Sequence, residues 1–112
     1  MRHSLILHIC PSTAWAANKN SEYRCPSLDS EGFIHCSTPE QTVEVANDLF
    51  RGQRGLVLLV IDAEKVVSSI RYEGAGNGKL YPHIYGPLNV TAVIRVEAFE
   101  PSADGTFELP GL

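Results

Sequence analysis

A chain of 112 residues with 44% apolar and 20% charged residues is sized for one domain with a buried core, in the composition of an ordinary globular protein. The formal charge of −4 sits late in the chain: residues 1–96 carry nine basic and nine acidic side chains, and Glu97, Glu100, Asp104 and Glu108 supply the excess. A balanced body without a basic stripe argues against a duplex nucleic acid partner, and no apolar run approaches the ~20 residues of a membrane span.

The three cysteines, Cys10, Cys25 and Cys36, form no CxxC and no disulfide framework, which suits free thiols in a reducing, cytoplasmic setting. The apolar run at Leu5 to Leu7 is cut by His8 and is too short for a signal-peptide core.

Residues 4–10, "SLILHIC", read as a strand buried on both faces, and residues 12–18 as a helix with Ser12 as its N-cap. A long polar connection follows, with a brief strand at residues 22–24. Residues 32–36, "GFIHC", read as a second strand. Thr38, Pro39 and Gln41 then have capping-box spacing ahead of a helix whose apolar stripe is Val43, Ala46, Leu49 and Phe50.

Residues 56–62 make a central strand, residues 63–67 a turn of helix, and residues 69–73 a further strand. The glycine-rich "GAGNGK" is a loop or hairpin connection. Strands at 80–85 and 92–99 come next, and the tail, residues 100–112, ends in a possible edge strand. Two main helices early and strands bunched later predict an α+β domain rather than a doubly wound sheet.

Histidine carries the most chemistry. His8 and His35 each lie near the end of an apolar strand with a Pro-started helix behind it, in "LHICPS" and "IHCSTP". Helix N-termini carry unpaired N–H groups, so this placement predicts an anion-friendly pocket. His83 shares a strand face with Tyr81 and Tyr85, and His35 shares one with Phe33, because side chains alternate along a strand. Ser37 and Thr38 would add hydroxyls at the same mouth.

Blander readings stand beside each of these. A lone strand histidine is more often a satisfied structural residue, and Tyr81 and Tyr85 serve equally well as packing groups. Arg71 and Glu73 share a face and read as a mutual or cross-strand pair. His3 reads as solvated. A zinc set of His8, Cys10, His35 and His83 is the rival for the imidazoles, although its spacing matches no standard module. A Cys–His nucleophile at Cys10 or Cys36 is disfavoured because a buried thiol is inert.

The stretches "EYRCPSLDSEGFIHCSTPEQ", "FRG", "LVLLVID", "IRYE" and "YPHIYGPLNVTAVIRV" together resemble a small bacterial family known as domain of unknown function nine hundred and fifty-two, over residues 5–96. That family in turn resembles the ADP-ribosyltransferase fold, a split pair of small antiparallel sheets with a nicotinamide-dinucleotide cleft between them. The resemblance implies NAD or another adenine nucleotide as ligand, and no metal. His8 would stand in the first motif, His35 in the second and His83 where a Glu is common.

An imidazole stabilises a ribosyl oxocarbenium ion poorly. The departure therefore points away from protein ADP-ribosylation and toward the RNA 2′-phosphotransferase branch, with Arg51, Arg71 and the imidazoles as cationic help. The expected site is thus a three-histidine catalytic cleft of His8, His35 and His83, with Phe33, Ser37, Arg71 and Tyr85 as ligand contacts. It would transfer or hydrolyse at a ribosyl or phosphoryl centre of a small nucleotide or phosphate ester. The alternatives are a non-catalytic nucleotide-binding module and a histidine-rich metal site.

Overall fold

A computed structural model describes residues 4–18, 20–74 and 76–112; His3 lies outside them. The chain order is β1 (Leu5–Pro11), α1 (Ser12–Asn18), β2 (Glu22–Tyr23), α2 (Pro26–Ser30), β3 (Ile34–His35), α3 (Thr42–Leu49) and β4 (Leu56–Asp62). A 3₁₀ turn at Ala63–Lys65, β5 (Ser69–Gly74), β6 (Leu80–Tyr85), β7 (Leu88–Asn89), a second 3₁₀ turn at Val90–Ala92 and β8 (Val93–Phe99) complete it. The expected α+β class with separate antiparallel sheets is what these elements build.

One sheet has the order β1-β4-β8, a second has β3-β6-β5, and β2 and β7 form a two-stranded ribbon. Every strand pair in them is antiparallel. The apolar runs of β1 and β4 are buried on both faces because the first sheet has core on each side. One core gathers Ile6, Cys10, Tyr23, Ile34, Leu59, Ile84 and Leu88. The other gathers Leu7, Ile9, Ala46, Leu56, Leu58, Val60, Phe99 and Phe107. Alternation along β1 therefore sends Ile6 to one core and Leu7 to the other.

The two larger sheets meet at a seam. Beyond β3 the backbone of Ser37 pairs with Leu7 of β1 through bonds of 2.7 and 2.8 Å, while the N–H of Cys36 still donates to the carbonyl of Pro82 in β6. One extended segment is thus shared by both sheets over three residues. That sharing fixes how the sheets splay.

Several expectations are corrected. The strand read at 32–36 pairs as a strand only at Ile34–His35, since the seam diverts the rest. The polar connection holds a short helix, α2, with Pro26 at its first position. Gly32 ends it at a φ of +92°, and its N–H bonds back to Leu28.

The capping box at Thr38 is half made. Gln41 accepts the Thr38 N–H through Oε1 at 3.0 Å, while its Nε2 donates to Leu80. That tether to β6 holds residues 38–41 as a turn and delays α3 to Thr42. Of the expected stripe only Ala46 is fully buried, and Leu49 is 73% exposed.

The tail forms no strand among residues 100–112. It is anchored instead by Phe107, which is buried and stacked on Phe99 at 4.8 Å, with its N–H donated to Asn47. Truncating this ring in Phe107→Ala should lower unfolding stability by about 3 kcal/mol in urea denaturation. An unchanged midpoint would mean that the tail does not close the second core.

Candidate functional site

Alternation puts Ile34 and Ile84 into the core and turns their neighbours His35 and His83 to the opposite face. The β3–β6 register sets His35 directly across from His83. Their rings meet edge to face with centroids 5.3 Å apart. Phe33 lies flat against His83 at 4.1 Å and edge-on to His35 at 4.8 Å. These three rings form the floor of a cleft of about 600 Å³.

The opposite wall is aliphatic. Leu7 and Ile9 of β1 meet Val45, Leu49 and Phe50 of α3 and its end, with Asp48 among them, while Asn77 and Tyr81 close the side toward the β5–β6 hairpin. Of the α3 residues here Val45 comes from the middle of the helix and Asp48 and Leu49 from its last turn, and no residue of α1 lines the cleft. The expected pair of helix N-termini is therefore not at this site. The negative end of a helix dipole and the Asp48 carboxylate are there instead.

The three imidazoles occupy three different environments. His8 is buried and spends both ring nitrogens inside the protein. Its Nδ1–H donates to the carbonyl of His35 at 2.6 Å, and its Nε2 accepts the Tyr23 hydroxyl at 2.9 Å. Burial, opposed by the bond to His35, lowers its pKa from 6.5 to about 4. His8 is thus a neutral structural group that sets the position of His35. The catalytic role expected of it has no free nitrogen to act with.

His35 is half-exposed, and its Nε2 lies 3.3 Å from Glu31 at the end of α2. His83 is nearly buried and donates Nδ1–H to Oε1 of Glu73 on β5 at 2.8 Å. The same oxygen accepts the Tyr85 hydroxyl at 2.6 Å. These two donors, Tyr85 first, hold the Glu73 carboxyl below the usual carboxylate range, and Glu73 in turn pushes the Tyr85 hydroxyl up. With Nδ1 committed, Nε2 is the nitrogen His83 offers the cleft.

The other expected contacts divide. Phe33 lines the cleft as part of its floor. Ser37 is buried with its hydroxyl 2.8 Å from that of Thr42, which donates onward to the Thr38 carbonyl. The Ser37 proton therefore goes to Thr42, and no donor remains for a phosphate. Arg71, the cross-strand partner of His83 on β5, and Tyr85 share the face of His83 without lining the cleft, and the guanidinium lies 4.7 Å over the Tyr85 ring.

Cys10 and Cys36 are buried free thiols pushed up by desolvation, which keeps them inert. Among the described residues no three His, Cys, Asp or Glu side chains gather in a metal-holding arrangement.

Glu73 and Tyr23 are the residues that the sequence reading misses. Glu73 was signalled by the alternation that puts it on one face with Arg71. Registering 69–73 against 80–85 as a hairpin would have set it opposite Tyr81 and diagonal to His83. Tyr23, on a two-residue strand in a polar connection, gave no comparable signal.

A family profile described as "Protein of unknown function (DUF952)" matches residues 9–96. The chain belongs to that family. Among solved structures it is similar to the X-ray crystal structure of protein CC0527 from Caulobacter crescentus, with 36% identity over 95% of each chain and a TM-score of 0.86. The solution NMR structure of the same protein gives 36% identity over 94% of this chain and 92% of that one, with a TM-score of 0.81. Both are structural genomics targets. No curated protein matches. Family and fold are shown by these likenesses, which carry no link to an ADP-ribosyltransferase.

The His8 environment has a thermodynamic signature. A histidine held neutral when folded binds its proton only in the unfolded chain between pH 6.5 and about 4. Its contribution is complete above 6.5 and is lost as pH falls through that window, by roughly 3 kcal/mol. The stability gap between wild type and His8→Gln should therefore narrow from pH 6.5 to pH 4 in urea titrations. A gap independent of pH would show that His8 is not held neutral.

Proposed function

We propose that the cleft binds a small nucleotide and that His35 and His83 carry acid–base chemistry on it. One observation carries the reading: two imidazoles face each other across a β-ladder at the floor of an open cleft, and one is backed by a carboxylate. The volume, about 600 Å³, is in the range of small-molecule sites, and a flat base suits the apolar wall of Leu7, Ile9, Val45, Leu49 and Phe50. The ribosyl or phosphoryl part then lies against the imidazoles.

In this reading His83 takes or gives a proton at Nε2, and Glu73 stabilises the imidazolium that forms when Nε2 is protonated. Positioned groups of this kind contribute ~10²–10⁴ in rate. His35 supplies the second transferable proton or an N–H to a phosphoryl oxygen. Phe33 keeps both rings in place and water off one face of His83.

Cleavage or transfer at a ribosyl or phosphoryl centre is the reaction class that such a pair serves. The proposed likeness to ADP-ribosyltransferases rests on the motif positions of His35 and His83, with NAD or an ADP-ribose derivative as the ligand it suggests. Glu31 and Glu73 flank the imidazoles and Asp48 stands on the opposite wall, so the site suits few phosphate charges rather than a triphosphate. The three free thiols fit a reducing compartment.

Calorimetry against NAD, ADP-ribose and ATP, followed by product analysis, tests this. We expect saturable binding of NAD or ADP-ribose, weakened about tenfold or more by His83→Ala. If turnover occurs, Glu73→Gln should shift its pH profile while leaving the ligand's affinity nearly intact. Binding without turnover assigns a non-catalytic module. No binding, or binding indifferent to both His35→Ala and His83→Ala, overturns the proposal.

A further inference from the structure

β8 is the outermost strand of its sheet: β4 lies on one side and no described strand on the other. Alternate residues of such an edge turn their N–H and C=O groups outward, where they can pair with a further strand. Ile94 and Val96 on this edge are 45% and 42% exposed. Val60 pairs with Arg95 and Ile61 with Val93, so Ile94 is an extra residue opposite no β4 partner, and the irregularity stays at one end of the strand. From Arg95 to Phe99 the register is regular.

We propose that two copies of the chain pair through β8, antiparallel about a two-fold axis at Val96, to form one continuous sheet of order β1-β4-β8-β8-β4-β1. The register follows from the charges. A two-fold axis normal to the sheet pairs residues of like parity, so the axis must pass through a residue. At Arg95 it would set Arg95 against Arg95, and at Glu97 it would set Glu97 against Glu97. At Val96 it sets Arg95 of each copy against Glu97 of the other, twice over, with Val96 on itself and Ile94 against Ala98.

Arg95 and Glu97 already pair within the strand, so both lie on one face, where Arg95 also donates to the Gly111 carbonyl of the tail at 3.0 Å, and they alternate with Val96 and Ala98. Charges on an edge strand ordinarily repel an incoming strand of arbitrary sequence. Here they are self-complementary, which blunts the edge toward other chains and leaves it open to a copy of itself. Pairing of one short strand buries little area, so the dimer is a concentration-dependent one. The cleft lies on the far side of β1 from this edge, and the surface is independent of any ligand bound there.

Sedimentation equilibrium of the full chain over a concentration series tests this, with Arg95→Glu, Glu97→Arg and the double reversal, each checked for fold by circular dichroism. Neither residue belongs to the cleft. Wild type should dimerise. Each single reversal sets like charges opposite one another in two places and should weaken the dimer about tenfold, and the double reversal should restore it. A monomer at every concentration, a dimer unmoved by the single reversals, or a double reversal that stays as weak as the singles overturns the proposal.

Discussion

A buried chain of hydrogen bonds, from the Tyr23 hydroxyl to His8 and from His8 to the carbonyl of His35, joins the ribbon, the first sheet and the second sheet at one point. Each polar group in it is desolvated, so each has to be satisfied, and a missing member would leave its neighbour unpaired in the core. The requirement is directional. Nδ1 must carry the proton to meet a carbonyl, which leaves Nε2 to accept from tyrosine. A neutral imidazole donates on one edge and accepts on the other, which accounts for a polar side chain in an otherwise aliphatic strand.

The cleft inherits its geometry from that seam. Because β3 is held by β1 through Ser37 and His8, and by β6 through its ladder, His35 and His83 face each other on a rigid two-strand platform rather than on a loop. The hairpin partner β5 then brings Glu73 to His83. Three histidines near one another thus divide by their partners: His8 spends both ring nitrogens inside the protein, and His35 and His83 line the cleft with a carboxylate each, Glu31 at His35 and Glu73 at His83. Local electrostatics are set by those carboxylates and by Asp48 more than by any helix dipole.

Sharing this architecture at 36% identity with a Caulobacter crescentus protein fixes family and fold while assigning no chemistry to the cleft. The chemistry is therefore argued from side chains: what is free, what is committed, and which nitrogen faces the open volume. By that measure the arrangement of His35, His83 and Glu73 stands apart from the satisfied network around His8 only a few ångströms away.

Periodicity alone determined the two-sided burial of β1 and β4, the faces shared by His35 with Phe33 and by His83 with Tyr81, and the α+β class, because alternation and apolar run length are local properties of a strand. Composition determined the free thiols and the charged tail. Tertiary structure alone decided that His8 is neutral and locked, that Ser37 donates to Thr42, that α3 turns the residues of its last turn to the cleft, and that Glu73 takes the His83 Nδ1–H. Those outcomes depend on which strands become neighbours and in what register. Register is a property of pairs of distant segments, and a single stretch of sequence does not contain it.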